Sequence, residues 1–413
     1  MTMLDKPQKK TTKTVAELVE AARQVRAEFR KTAADVDREG GYPTDNMRLI
    51  HEAGLSAIGL PEALGGVIGA NPLEHIEAVT EIFLELAAGE SSTAQIFNVH
   101  RGLCFDLMSS NNLSPERKES LLREILDDGV RFCSPAAEPT KKRFSFQMKC
   151  TPVEGGVRLT GKKYFATGSE GARYGVAPVL MDGFPSVEEG GLHWALVDLE
   201  SEGVTINHDW DNMGQRATGS GSVTFENVFV ADGSHWPGKD GRSDPAAMNN
   251  VSGPATQVVM SAMILGMGYG ALEEMCDYVR TRVRPFNPDW KDATEDPIMQ
   301  FHVGRISSQL NAARAANREA ARAVAEFSKG AGKRADVSLA MMQAKVAIVD
   351  AALTASTDLH RLCGGMSTSN AFRFDRFWRN ARTLSTHDSQ DVKLRQIGGY
   401  VLGGVEPPSN YVT

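Results

Sequence analysis

The chain carries three successive patterns of hydrophobic and polar positions, and the first of them is helical. From about Thr14 to Leu126, apolar residues recur at three- and four-residue steps, most clearly in the run VAELVEAARQVRAEFRKTAADVDREGG. This spacing places apolar side chains on one face of an α-helix, and the Gly-Gly pair ends the run. We therefore predict a helical first region, with further helices near Leu73–Ala88 and Ile96–Leu107.

The second pattern, from about Val130 to Val230, consists of short β-type runs broken by glycine and aspartate. The runs are GGVRLTGKKYFATG, YGVAPVLMDG, LHWALVDLES and SGSVTFENVFV. In the last run apolar and polar residues alternate from Val223 onward, with Asn227 as an interruption. Alternation of this kind is typical of strands that bury one face. The pattern predicts a compact antiparallel sheet.

After Asp244 the helical pattern returns in three long, alanine-rich stretches. They span Gln257–Val283, Phe301–Lys329 and Val337–Gly365. Alanine favours helix because it loses no side-chain entropy on folding. Long amphipathic helices of this kind usually pack as an antiparallel bundle, which is what we predict for the last part of the chain.

The order of helices, sheet and helices predicts an α+β fold. With 413 residues, the chain is long enough for two or three domains. We place an N-terminal helical domain at residues 1–127, a middle β domain at residues 128–242 and a C-terminal helical bundle at residues 243–413.

Composition and charge exclude several classes of function. A net charge of -7 without a long run of Lys or Arg argues against nucleic-acid binding. The five cysteines show no paired spacing, and no His/Cys cluster is present, so we predict reduced thiols and no metal site. The N-terminus lacks a secretory pattern, and no apolar run reaches the roughly 18 residues of a membrane span. These features predict a cytoplasmic protein that binds no membrane.

Four sequence segments carry a family resemblance. They are GLSAIGLPEALGG (Gly54–Gly66), LTGKKYFATGSEGA (Leu159–Ala172), DWDNMGQRATGSGSVTFENVFV (Asp209–Val230) and FWRNARTLSTHDSQDVKLRQIGGYVLGGVEPP (Phe377–Pro408). With the order of helices and strands, they resemble the acyl-CoA dehydrogenase superfamily. The last two resemble its two-component (group D) flavin-dependent monooxygenases of the dibenzothiophene monooxygenase type. The resemblance implies an acyl-CoA dehydrogenase-like fold with a C-terminal four-helix bundle.

The resemblance also implies which residues border the flavin ring. In the family, the segment matching Leu159–Ala172 runs past the isoalloxazine, which needs hydroxyl and backbone donors near N5 and O4. Thr167 would supply the hydroxyl, as both a binding and a catalytic residue, and Gly168 would leave space for the ring. Trp210 would wall the flavin or substrate pocket, and Ser134 lies where a family loop approaches the flavin pyrimidine.

For the flavin phosphates, Arg282 in YVRTRVRPF matches a family arginine by spacing, and Arg280 and Arg284 are the alternatives. A guanidinium is a permanently charged, bidentate phosphate ligand. Arg361 occupies the Gln position of a Gln-x-x-Gly-Gly motif, which in FAD enzymes holds the adenine half of a neighbouring subunit's cofactor. This replacement favours reduced FMN, with FAD as the alternative. A cofactor at a subunit boundary favours a homotetramer.

The C-terminal segment separates two kinds of chemistry. Acyl-CoA dehydrogenases carry, nine residues after an Arg-Asp, a Glu-Gly-Thr whose Glu removes the substrate α-proton; here nine residues after Arg379 comes Asp388, without Glu-Gly-Thr. His387 precedes it, and a histidine, with an ordinary pKa of about 6.5, can give or take a proton. The resemblance makes His387 the proton donor or base, and implies a contribution from His100 in the first domain. Some relatives have a second histidine where Leu384 stands.

We therefore predict a two-component flavin-dependent monooxygenase. No GxGxxG segment opens a nicotinamide-binding unit, so a separate NAD(P)H-dependent flavin reductase would supply reduced FMN. O2 would add at C4a to form a hydroperoxide, which transfers oxygen to a small aromatic or heteroaromatic substrate containing sulfur or nitrogen, such as a thiophene, sulfonamide or amine. Two alternatives stay open: an FAD-dependent acyl-CoA dehydrogenase with Asp388 as base, and a flavin-free scaffold for partner binding.

Overall fold

The computed structural model describes residues 13–68, 71, 73–109, 111–140, 145–238 and 251–408. In these residues helices come first, strands second and helices last, which confirms the predicted α+β fold. The helices of the first region are α1 (Val15–Glu39), α2 (Thr44–Glu52), α3 (Ile76–Gly89), α4 (Ser91–Ser109) and α5 (Pro115–Leu126).

Helix α1 begins and ends where its sequence dictates. The Thr14 hydroxyl accepts a hydrogen bond from the Glu17 N–H, and the Glu17 carboxylate accepts from the Thr14 N–H (3.3 and 2.6 Å). This reciprocal pair is a capping box, which satisfies N–H groups left over at a helix start. Gly40 follows the last turn with φ 70°, a conformation that glycine adopts without strain. The predicted first helix is therefore confirmed.

Within the described residues, seven strands form the main path of one mixed sheet, with an eighth paired alongside. The strands are β1 (Phe132–Cys133), β2 (Lys149–Val153), β3 (Gly156–Lys163), β4 (Tyr174–Met181), β5 (Leu192–Asp198), β6 (Val204–Ile206), β7 (Val223–Ala231) and β8 (His235–Pro237). Their order is β6-β7-β3-β2-β4-β5-β8, and β1 pairs with β4.

The predicted antiparallel sheet is mixed in the structure, because β4 runs parallel to both β1 and β2. Strands β2 and β3 are antiparallel neighbours, and the chain then passes from β3 to β4 on the far side of β2. The connection, residues 164–173, therefore crosses the end of β2 and returns the chain in the direction of β2. This crossing segment carries Phe165 and Thr167.

The last region contains α6 (Ser252–Arg282), α7 (Pro297–Ser328), α8 (Arg334–Cys363), α9 (Asp375–Ser385) and α10 (Gln390–Gly403). Helix α6 packs against α3, α7 and α8, and glycines permit its close approach to α3. A Cβ at Gly266 would lie 2.3 Å from the Leu84 carbonyl oxygen, and one at Gly270 would lie 2.6 Å from that of Ala88. The first helical region and the bundle consequently share one hydrophobic core.

In the part of the chain that the structure describes, two helices are long and apolar enough to cross a membrane, Gly253–Arg282 and Arg334–Cys363. Of their most apolar stretches, 83% and 61% are buried inside the protein. A helix that is apolar all round is expected in the core of a large protein, and this is where both of these helices lie.

The domain boundaries stay predictions. The boundary at 127/128 falls between α5 and β1. The boundary at 242/243 lies outside the described residues. The sheet buries its own hydrophobic cluster, and a further cluster joins α4 and α5 to one side of the sheet.

Candidate functional site

A cavity of about 900 Å³ lies where the three regions meet. Its walls come from α4, the crossing segment after β3, the loop between β6 and β7, α6 and the residues around the end of α9. Four predicted site residues line it, namely Ser134, Thr167, Trp210 and His387. Its volume is in the usual range for small-molecule sites.

A row of hydroxyl groups forms one wall of the cavity. Ser220 Oγ lies 2.9 Å from Thr167 Oγ1 and 2.7 Å from Thr218 Oγ1. The Thr218 hydroxyl donates to the main-chain carbonyl of Gln215 (2.8 Å). Because one end of the row is fixed to the backbone, Thr167 at the other end presents its hydroxyl in a defined position. The row was missed from the sequence, although Thr218 and Ser220 fall in the Ala-Thr-Gly-Ser-Gly-Ser stretch of the third motif.

Two aromatic side chains lie beside this row. The Trp210 indole N–H donates to the Gln215 carbonyl (2.8 Å), and the Phe165 ring meets the Trp210 ring edge to face at 5.9 Å between centroids. Phe165 is 63% exposed and has φ 52°. A large side chain in the left-handed region is strained, and such strain concentrates at functional sites. An exposed, strained aromatic at a cavity wall is positioned to contact a planar ligand.

Helix α9 holds the loop that carries Trp210. Arg379 donates to the Met213 carbonyl (2.7 Å), and the Asn380 side-chain oxygen accepts from the Gln215 N–H (2.6 Å). Between them, a Cβ at Gly214 would lie 2.2 Å from the Arg379 carbonyl oxygen. Glycine is therefore required at 214, because the two backbones touch there.

We expect Gly214→Ala to lower the free energy of unfolding by about 1–3 kcal/mol, since the added methyl group has to displace backbone. Urea unfolding followed by tryptophan fluorescence measures the change. Gly304→Ala is the matched control, because Gly304 lies inside α7 with nothing within 4 Å of its Cβ position. That control should be neutral or stabilising by up to about 1 kcal/mol. Equal stability of Gly214→Ala and the wild type would contradict the packing described.

His387 lies two residues beyond the end of α9 and lines the cavity. Its side chain is 43% exposed, and its Nδ1 is 4.0 Å from Asp388 Oδ1, which is too long for a hydrogen bond. Its backbone N–H donates to the Leu384 carbonyl (3.2 Å), which fixes the turn after the helix. The His387 side chain therefore contributes to the cavity lining, and its catalytic role stays a prediction.

Asp388 has a different environment from its neighbour. Its carboxylate is buried and pairs with the Nζ atoms of Lys345 and Lys393, the latter at 2.5 Å. Burial by itself raises the pKa of Asp388, but the two lysines outweigh it and leave the pKa below its ordinary value. Asp388 is not among the described residues that line the cavity. A carboxylate held ionised between two ammonium groups is poorly placed to abstract a carbon-bound proton.

His100 does not line the cavity in the described structure, contrary to our expectation for this residue. It is 1% exposed, its Nδ1 accepts the Phe132 N–H (3.2 Å), and its ring packs between Phe97 and Phe132. Burial holds the pKa of His100 well below its usual range, so the ring is neutral. Its observed role is to join α4 to β1.

Gly168 has a packing role rather than the one expected. With φ 83°, it donates its N–H to the Thr218 carbonyl (2.8 Å) and would place a Cβ 3.0 Å from Ile96 Cγ2. It is buried and does not appear among the described cavity residues. It brings α4 against the hydroxyl row, and Thr167 rather than Gly168 faces the cavity.

The two predicted phosphate-binding arginines lie away from the cavity in this single chain. Arg282 ends α6 and places its guanidinium 5.3 Å from the centre of the Phe372 ring. Arg361 bonds to His302 Nδ1 (2.9 Å), pairs with Asp358 (3.1 Å), and lines a second, open hollow of about 390 Å³. Thr167 and His387 therefore come together in one cavity, whereas Arg282 and Arg361 are not among the described residues that line it.

Three side-chain oxygens in the cavity wall lack a hydrogen-bond partner among the described residues. They are Gln95 Oε1, Gln215 Oε1 and Thr383 Oγ1, all inaccessible to solvent. Enclosed polar atoms normally find partners, so their orphaned state indicates a ligand with its own polar groups. A flavin ring carries such donors and acceptors on a flat aromatic frame, and it fits the polar atoms, the hydroxyl row and the two aromatic side chains.

Comparison with protein-family models matches two parts of the chain. The acyl-CoA dehydrogenase N-terminal domain matches residues 12–128, and the acyl-CoA dehydrogenase C-terminal domain matches residues 258–391. The two matches together cover more than half of the chain.

Individual relatives match along nearly the whole length. A dibenzothiophene monooxygenase of Mycolicibacterium goodii is 32% identical over 93% of this chain and 93% of its own. A probable FMNH2-dependent monooxygenase, SfnC of Pseudomonas putida, is 29% identical over 94% of this chain and 96% of its own. The crystal structure of FMN-bound TdsC from Paenibacillus sp. A11-2 has a TM-score of 0.84 at 27% identity, covering 96% of this chain and 100% of that one.

Proposed function

Because the chain belongs to the acyl-CoA dehydrogenase family, and within it to the flavin-dependent monooxygenases of the dibenzothiophene monooxygenase type, we propose that it oxygenates a small aromatic or heteroaromatic substrate with reduced FMN and O2. The observation that carries the proposal is the meeting of Thr167, Trp210 and His387 in one cavity. Reduced FMN, when bound, would supply the chemistry that activates O2, and the protein would supply binding and orientation.

The cavity residues have separate tasks in this proposal. Thr167, fixed by the hydroxyl row, would donate to the ring near N5 or O4, and Trp210 with Phe165 would hold the ring plane. Met260 on α6 and Leu384 on α9 would add apolar surface that keeps water from the reacting atoms. His387 would hold or deliver the proton that oxygen transfer requires.

Partners follow from the same proposal. The FMNH2-dependent relative points to a separate NAD(P)H-dependent flavin reductase as the source of reduced FMN. We propose a homotetramer in the cytoplasm, in which Arg282 or a neighbouring arginine, and Arg361, reach a cofactor held by another subunit. Oxygen transfer to sulfur or nitrogen of a thiophene, sulfonamide or amine is the finer expectation. Indole is a suitable first probe, because a TdsC structure holds FMN and indole together.

The proposal is tested by mixing the protein anaerobically with photoreduced FMN and then admitting O2 in a stopped-flow spectrometer. A near-ultraviolet absorbance band that outlives the same band in free FMN is expected, because the cavity shields the flavin from water. Immediate oxidation of FMN at the rate seen without protein would contradict the proposal. Stable binding of FAD, bleached by an acyl-CoA, would instead favour the dehydrogenase alternative with Asp388 as base.

The hydroxyl row predicts an effect on flavin binding. Thr167→Val keeps the shape of the side chain and removes its hydroxyl, so we expect FMN affinity to fall by about 3- to 10-fold, the usual value of one hydrogen bond. Quenching of FMN fluorescence during titration measures this affinity. Thr205→Val on the edge strand β6 is the control and should bind FMN like the wild type. If Thr167→Val binds FMN as tightly as the wild type, the row of hydroxyl groups does not contact the flavin.

A further inference from the structure

One charged side chain of the cavity has no counterpart in the chemistry described so far. Arg101 lies on α4 and lines the cavity, and its Nε has no hydrogen-bond partner among the described residues and no solvent contact. Its guanidinium carbon is 5.8 Å from the centre of the Phe83 ring. Burial lowers the pKa of Arg101, and the nearby Asp106 does not fully offset this. A guanidinium nitrogen enclosed in this way is normally paired, although Arg101 as a whole is only partly buried.

Among the residues that the structure describes, the cavity offers Arg101 little compensating charge. Glu138 also lines the cavity, but its carboxylate pairs with Lys163 and accepts two main-chain N–H groups, from Gln147 (2.7 Å) and Met148 (3.2 Å). Asp106 is exposed, at the outer end of α4, where solvent weakens its attraction. The partner of the guanidinium is therefore to be sought in the ligand.

Arg101 lies further along α4 than the wall around Thr167, where we place the flavin. Ile96 is the α4 residue that contacts Gly168 in the crossing segment, and Arg101 comes five residues later. At 1.5 Å per residue this is about 7.5 Å further along the helix axis. Phe146 and Trp194 are among the apolar and aromatic side chains that line the same cavity.

We propose that Arg101 binds an anionic group, a carboxylate or a sulfur oxyacid, on the aromatic substrate. The inference rests on the proposed function, because it assigns the flavin to the wall around Thr167 and leaves the remaining space to the substrate. The substrate is then an aromatic acid, whose ring packs among Phe146 and Trp194 and whose charge faces the guanidinium. Arginine suits this task because its planar fork binds such groups through two hydrogen bonds.

The test compares acids with neutral molecules of the same shape. Benzoate with benzamide, and benzenesulfonate with benzenesulfonamide, are titrated calorimetrically into the wild-type protein in the presence of oxidised FMN. At least one acid should bind about 10- to 100-fold more tightly than its amide, the value of a charge-assisted pair. If neither acid binds more tightly than its amide, the inference is overturned.

Substitutions assign the preference to one residue. Arg101→Met should abolish it, and Arg101→Lys should keep part of it, since an ammonium retains the charge without the fork. Arg123→Met on the exposed face of α5 is the control and should keep the full preference. If both Arg101 variants still bind the acid more tightly than its amide by the wild-type factor, the inference is overturned. If Arg101→Met does not fold, the result for Arg101→Lys decides the question.

The flavin phosphate is the other anion that could reach Arg101, and a second titration separates the two. If Arg101→Met weakens the binding of FMN but not of riboflavin, the guanidinium binds the cofactor and the inference falls. These measurements involve no oxygen chemistry. If the near-ultraviolet band is lost but acids still bind more tightly than amides, only the monooxygenase proposal is contradicted. If the band persists but acids bind no more tightly than amides, only the proposed role of Arg101 is contradicted.

Discussion

Replacing His387 with alanine is expected to separate oxygen consumption from product formation. Among the described residues that line the cavity, His387 is the one histidine, and its ring is not hydrogen-bonded to Asp388 beside it. Positioned proton transfer typically contributes 10²- to 10⁴-fold to a rate. We expect product formed per O2 consumed to fall by about 10²-fold or more, with hydrogen peroxide released instead and FMN affinity changed by less than about threefold.

The experiment supplies reduced FMN from a reductase, a substrate accepted by the wild type, and an oxygen electrode with chromatographic product detection. His75→Ala is the control, because His75 precedes α3 and does not line the cavity among the described residues. His387→Gln tests whether hydrogen bonding alone suffices, since an amide can donate but does not titrate in this range. If His387→Ala forms as much product per O2 consumed as the wild type, His387 has no role in the reaction.

The fold could be predicted because its local signals agree with its packing. The apolar stripe of α1, with its capping residue and terminal glycines, specifies a helix without reference to the rest of the chain. The mixed sheet could not be predicted in the same way. Whether β4 runs parallel to β2 depends on which side of β2 the chain passes after β3, and hydrophobic alternation carries no information about that choice.

Sequence motifs indicated several of the residues that line the cavity, and their roles stay predictions. Thr167, Trp210 and His387 each stand in a recognisable segment, and the cavity brings them together. His100 shows the opposite case, because its sequence neighbourhood matches a pocket histidine while its side chain faces the core. A helix face cannot be assigned from a single polar residue, since a buried histidine with one backbone partner looks the same in sequence as one that lines a cavity.

Other parts of the site depend on contacts between distant segments. Gln215 is held by Asn380, 165 positions away, and Ser91 accepts hydrogen bonds from both side chains (3.1 and 3.0 Å). Arg101 is a candidate because its Nε has no hydrogen-bond partner among the described residues, which only the structure shows. In both cases the evidence is which side chains hydrogen-bond to each other, and a single sequence does not contain that information.

Asp388→Asn is expected to be among the most destabilising single substitutions in the chain. It leaves the buried ammonium groups of Lys345 and Lys393 without the carboxylate between them, and breaking a buried ion pair from one side costs about 3–5 kcal/mol. Urea unfolding at pH 7 should show this loss in the free energy of unfolding. Asp45→Asn, at a side chain that is 90% exposed and paired with Arg48 on the surface, should change it by less than about 0.5 kcal/mol.

The pH dependence of this difference has a definite sign. The pKa of Asp388 is lowered in the folded protein, so its contribution is present above the unfolded value of about 3.9 and is lost as the pH falls through the folded pKa. Wild type and Asp388→Asn should therefore differ most near neutral pH and converge in acid. A substitution that leaves stability unchanged at pH 7, yet abolishes FAD reduction by an acyl-CoA, would instead make Asp388 a catalytic base and restore the dehydrogenase alternative.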